Sequence, residues 1–242
     1  EMFTPYKSIV TSIEEHDRPF AAYLYGSFGI SRIFKSKKII NTTLQIGVIG
    51  PNAHGKELQD FIHNIYDFGN INGWKYQINN ALGLNFNSEY IKSITKNNSK
   101  KIDLFWMNYG RIGTVYTDIS SGFLMRIGFK PLASMLNSTA FGTNLNSSET
   151  KFTRQVESFL FIKPLVRYAI YDATIQGSFL NDNNLVTKEL IPFVFSVSVG
   201  IKFTAKRFNF GYTFNYNTNK VKNLRITNGN KYGSISVDYL FR

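Results

Sequence analysis

Cysteine is absent from this sequence, which excludes disulfides and thiolate metal sites. No apolar run reaches the ~18 residues of a membrane-spanning helix. No basic-then-apolar leader stands at Glu1, so the chain is expected to begin as one already processed or trimmed. Acidic residues are scarce: 16 Asp and Glu stand against 28 Lys and Arg, a formal charge of +12. That excess points to an acidic partner, either nucleic acid or anionic lipid headgroups. The lack of a Lys/Arg-rich recognition helix or any nucleic-acid motif argues against the first. No EF-hand loop or other calcium motif is visible. Histidine is rare as well, with only His16, His54 and His63 available for acid–base work.

Aromatic residues are abundant, with 22 Phe and 14 Tyr making most of a 16% share. Most of the chain alternates apolar and polar residues with the period of a strand. Ile40, Thr42, Leu44, Ile46 and Val48 oppose Asn41, Thr43, Gln45 and Gly47. Phe193, Phe195, Val197, Val199, Ile201 and Phe203 oppose Ser196, Ser198, Gly200, Lys202 and Thr204. Similar patterns begin near residues 20, 82, 102, 115, 162, 208 and 234, which predicts nine strands in all. A soluble sandwich or a lipocalin-like barrel alternates too. Three features favour a membrane barrel: strands of about nine to twelve residues, a second face of Asn, Ser, Thr, Gly and Lys suited to a wet lumen, and aromatics at the strand ends. The chain also nearly ends on Phe241, with Arg242 after it. The predicted class is therefore all-β, an antiparallel transmembrane barrel forming one domain over residues 1–242. An odd strand count is unusual for a single-chain bacterial barrel, so either strands before residue 1 are missing or the count of nine is wrong. A long Ser-, Asn- and Thr-rich segment, 130–157, is assigned to the periplasmic side, where turns are usually short.

One stretch breaks the strand period. From Gly55 to Phe68, Leu58, Phe61, Ile62 and Ile65 fall at helical spacing, and Gly69 and Gly73 are expected to stop the helix before Trp74. Gln59 and His63 lie four residues apart, about 40° around the axis, and so share a face. Lys56 precedes them and Asp67 follows on the same side. An imidazole, an amide, an ammonium and a carboxylate are thus expected to point at one surface outside the barrel. The same row also reads as an ordinary solvated face.

Several short motifs carry a resemblance. Asp17-Arg18-Pro19-Phe20-Ala21 resembles D-[RK]-P-[YF]-A-G. Gly47-Val48-Ile49-Gly50-Pro51, then Gln59, Phe61-Ile62-His63 and Gly73-Trp74, resemble G-V-x-G-P…Q-x-F-[VI]-H…G-W. Gly113-Thr114-Val115-Tyr116-Thr117 resembles G-N-V-Y-T. Together they resemble the lipid A 3′-O-deacylase family of Gram-negative outer membranes, specifically up to about residue 128 and only in barrel character beyond it. The resemblance implies a twelve-stranded barrel, a site between its outer wall and an extracellular-loop helix, and calcium-dependent hydrolysis of the ester that holds the 3′ acyl or acyloxyacyl chain of lipid A. His63 is then the general base and Gln59 a catalytic neighbour that orients substrate or holds the oxyanion. Arg18 and Lys56 are substrate-binding, Asp67 a metal ligand or histidine orienter, and His16 and His54 loop histidines. The family's Asn-Asp pair and T-D-x-x-Y-T-N-G segment, on its first two strands, are missing here. Met2 to Tyr6 resemble the end of its third strand, so three strands are expected to be absent. The implied partners are lipopolysaccharide and outer-membrane lipids, with a monomer expected. The rival readings are a passive pore or adhesin with the helix as a plug, an outer-membrane phospholipase of other specificity, and a soluble lipid-binding barrel.

Overall fold

A computed structural model describes residues 1–239 apart from 8, 11, 35, 70, 96–100, 136–137, 142–155, 206–207 and 226. The expected terminal signal at Phe241-Arg242 and most of the 130–157 segment lie outside the described residues. The elements follow the alternation closely. Strands β1 (Met2–Phe3), β2 (Ala21–Phe34), β3 (Lys38–Ile49), β4 (Ala81–Ser93), β5 (Ile102–Gly113) and β6 (Tyr116–Gly128) come first. β7 (Ser158–Asp172), β8 (Phe193–Ala205), β9 (Phe208–Asn217) and β10 (Asn230–Tyr239) follow. Helix α1 (Gly55–Tyr66) lies between β3 and β4, and the single turn α2 (Ala173–Gln176) follows β7. All ten strands form one antiparallel sheet in chain order, a curled half-barrel.

The predicted count of nine is corrected to ten by β1, a two-residue strand that alternation cannot reveal. It pairs with the first residues of β2, Met2 with Ala22 and Phe3 with Ala21. Among the described residues, the side of β2 away from β3 has no strand partner beyond Ala21 and Ala22, and neither does the outer side of β10. All of β10 is exposed.

The register aligns one apolar row across the outer wall. Phe28 opposes Leu44, Leu44 opposes Phe86, and Phe86 opposes Ile112. All four are exposed. Exposed large apolar groups repeated along every strand form a lipid-facing belt rather than a water-facing surface. The inner row at the same level is polar and charged. Thr43 opposes Asn87, Asn87 opposes Arg111, and Arg111 faces Asp118 with an ion pair between them.

A wet lumen is found only over part of the height. At the end away from α1, Ile39, Ile91, Phe105, Met107 and Leu124 point inward and form an apolar cluster with Met135 and Phe141. Met135 and Phe141 belong to the segment predicted as a periplasmic loop. Its described part instead packs back into the barrel end, because Arg126 there is completely buried and needs partners. Arg126 Nε donates to Asp103 at 2.9 Å, Nη1 donates to Ser138 at 2.5 Å and to Glu157 at 3.1 Å, and Nη2 donates to the Ala133 carbonyl at 3.2 Å. The rings of Phe105, Phe141 and Phe159 surround the guanidinium at 5.2–5.3 Å.

Candidate active site on the rim helix

The sheet delivers α1 to one end of the barrel through a tight exit from β3. Ile49 is buried. Gly50 has φ +102°, and a Cβ there would lie 2.6 Å from the Asn79 carbonyl carbon, so both backbone angle and space require glycine. Pro51–Ala53 forms a 3-10 turn, and His54, at φ 55°, caps α1. The helix seats on the barrel at one close contact. A Cβ on Gly55 would fall 2.5 Å from Ala22 and 2.6 Å from the Trp74 ring. Trp74 itself is 1% exposed and packs on Phe20, with ring centroids 5.0 Å apart. Phe20, Ala22, Ile71 and Trp74 form the small core beneath the helix.

Above that core the expected polar row is only partly assembled. Trp74 Nε1 donates to Gln59 Oε1 at 2.7 Å. His63 Nδ1 lies 3.0 Å from the Gly69 carbonyl oxygen. A carbonyl only accepts, so the contact assigns an N–H to Nδ1, and in the neutral ring Nε2 is then the acceptor. The ring also meets Phe68 edge-on at 5.3 Å. Lys56 does not reach toward His63. It pairs with Asp60 at 2.5 Å along the exposed side, and this contact raises its pKa.

The helix ends earlier than glycine placement suggests. Asp67, not Gly69, takes the left-handed cap at φ 54°, and its N–H bonds the His63 carbonyl. Aspartate tolerates that conformation better than most side chains. Gly73 is no stop signal either. It lies under the Phe20 ring, where a side chain would collide.

Arg18 is directed elsewhere. Its guanidinium stacks over Phe3 at 4.8 Å, and Nε donates weakly to the Pro19 carbonyl at 3.4 Å. It lines a cavity of about 510 Å³ at the inner mouth of the barrel, shared with Asp17, Asp172, Thr218 and Lys220. Burial pushes its pKa down, and Asp172 is the main opposing charge. Asp17 accepts from the Tyr6 N–H at 3.1 Å. No contact among the described residues joins Arg18 to Gln59 or His63.

The other two histidines differ from one another. His16 is 1% exposed, packs against Phe20 and Tyr76, and contacts the Ile13 carbonyl at 3.1 Å. This is a buried structural residue rather than an open loop histidine. His54 is exposed at the helix start, 3.8 Å from Glu57. The residues that reasoning from the sequence missed are Trp74, as the partner of Gln59, and Gly69, whose carbonyl holds His63. The Gly73-Trp74 motif was the only signal for the first; nothing local marked the second.

No group of three or more His, Asp or Glu converges among the described residues. Asp67 is a single exposed carboxylate at the helix end.

Comparisons agree with this architecture. The family model described as outer membrane protein LpxR matches residues 1–241. The solved structure of LpxR from Salmonella typhimurium superposes with a TM-score of 0.78 at 17% identity, covering 99% of this chain and 80% of that one. No curated protein sequence matches.

Proposed function

The chain belongs to the LpxR family of outer-membrane proteins, and from that premise we propose that it is a lipid A deacylase that hydrolyses the ester of the 3′ acyl or acyloxyacyl chain. The observation that carries the reading is the contact between His63 Nδ1 and the Gly69 carbonyl. In the neutral ring that contact assigns the N–H to Nδ1, and we assign Nε2 the role of general base. It takes a proton from water as the water oxygen bonds to the ester carbonyl carbon. The carbonyl π pair moves onto oxygen and forms the oxyanion. As that pair returns, the ester C–O bond breaks, and the imidazolium protonates the departing sugar oxygen.

Supply of substrate follows from the position of α1. Leu58, Phe61, Ile62 and Ile65 are exposed along one side of the helix. On the strands that flank it, Leu24, Ile46 and Leu82 are exposed on the outer wall. These apolar surfaces support a helix lying among acyl chains, and we assign His63 to the depth where those chains join the sugar. Lys56, on the exposed side, is the cation we assign to a lipid A phosphate, in exchange for Asp60. Arg18 has no part in this arrangement. The apolar packing around Arg126 at the opposite end argues against a passive pore.

Calcium is a separate matter. It takes six to eight oxygen ligands, and Asp67 alone does not build such a site. The described residues therefore do not fit the ion, and no step above depends on it. We keep calcium as a proposal to be read directly by chelation.

The test is mass spectrometry of lipid A from cells carrying the wild-type gene or His63→Ala, beside purified enzyme with and without a chelator. Loss of the 3′ acyl mass in wild type alone supports the reading, and abolition by chelation adds calcium. Identical lipid A in wild type and mutant rejects it.

A further inference from the structure

Trp74 is a buried side chain that touches the candidate site from beneath. Its indole N–H donates to Gln59 Oε1 at 2.7 Å. An indole nitrogen never accepts, so this bond settles which end of the amide faces the core. The oxygen points down to Trp74, and the NH₂ group is turned away from it. The ring has no freedom to release the amide. It is 1% exposed, lies against Phe20 on one side, and meets Gly55 where even a Cβ would collide. Gln59 and His63 occupy the same helix face one turn apart. His63 is fixed by the same logic, through a carbonyl that only accepts.

We propose that Trp74 is a positioning residue for the deacylation, holding the Gln59 amide so that its N–H bonds, and not its oxygen, face the reacting ester beside His63. The inference rests on the deacylase reading above. The site then offers one acceptor, His63 Nε2, for the proton of water and one donor, Gln59 Nε2–H, for the oxyanion. If the amide flips, its oxygen meets the developing negative charge and the donor is lost. Removing an oxyanion donor typically costs about 10²–10³ in kcat. An amide left free to flip still presents its donor part of the time, so a smaller loss is expected, about 10-fold in kcat, with KM unchanged.

The experiment uses Trp74→Phe, which deletes the N–H and keeps a ring in the pocket. It is made in the wild-type chain and in Gln59→Ala, each purified and assayed on lipid A in mixed micelles. Indole-¹⁵N spectra of the same proteins supply a readout independent of turnover. The chain has two tryptophans, Trp74 and Trp106, so the Trp74 resonance is the one missing in Trp74→Phe. The expected result is a fall in kcat without a change in KM, no further loss when Gln59 is already Ala, and a displaced Trp74 resonance in Gln59→Ala. The positioning role is overturned if Trp74→Phe turns over like wild type, if it loses the same factor in the Gln59→Ala background, or if the resonance does not move. Full activity in His63→Ala is a different failure. It removes the deacylase reading, and the indole–amide bond is then structural only.

Discussion

Arg126 is a cation with no exposed surface, held between the carboxylates of Asp103 and Glu157 inside a ring of three phenylalanines. Its presence on the inward face of β6 was legible in the alternation, but the reading it suggested, a wet lumen, was not what the packing made of it. Removing one member of a buried ion network leaves the others uncompensated, at a cost of about 3–5 kcal/mol. Arg126→Met is accordingly expected to destabilise the barrel by that order, read as a lower midpoint in urea unfolding in detergent. His63 is the opposite case. Its position was suggested by motif, yet its Nδ1 contact is to the Gly69 carbonyl six residues on, which no periodicity announces.

Helix α1 shows how far amphipathic pattern reaches at the level of an element. Its start, its apolar side and the shared face of Gln59 and His63 all follow from helical spacing. What the apolar side touches does not. In a soluble protein that stripe would be core, whereas here Phe61 is 62% exposed and only Gly55 is buried. The contrast comes from the surroundings, since the helix rests on Ala22 and Trp74 near its start and leaves its apolar side uncovered. Phe61→Trp should therefore add an emission component that brominated-chain lipids quench. Phe61→Asp combined with Ile65→Asp should leave gel mobility of the folded barrel unchanged while cutting deacylation of vesicle-borne lipid A several-fold more than that of detergent-dispersed substrate. Equal losses in both assays would place the stripe outside the membrane. The connection to β4 is held by asparagine: Asn80 Oδ1 accepts the Asn52 N–H at 2.7 Å, and Asn79 bonds Asn183 and Asn184 across the rim. Such ties between distant loops carry no sequence signature.

For the whole molecule the two faces of the sheet make a paired prediction. Leu44 lies in mid-strand on the outer row, and Thr43, its neighbour, lines an inner cavity with Arg111, Lys163 and Arg167. Leu44→Arg should cost about 2–4 kcal/mol in a bilayer, as charges do at the midplane of a barrel wall. Thr43→Asp should cost less than Leu44→Arg, because its side chain faces a polar cavity where Arg111, Lys163 and Arg167 stand beside Glu89 and Asp118. Folding titrations in lipid vesicles measure both, and equal costs would contradict the assigned faces. Among the described residues one side of β10 and most of one side of β2 lack a strand partner, and unpaired strand edges are not tolerated in hydrocarbon. Sequence alone determined the strand rhythm, the two-faced wall and helix α1, because each is a local pattern with a period of 2 or 3.6 residues. Tertiary structure alone decided the stub strand β1, the apolar cork around Arg126, the inward turn of Arg18 and the Trp74–Gln59 bond. Each of these joins residues far apart along the chain or depends on which space neighbouring elements leave open, and no local period encodes that.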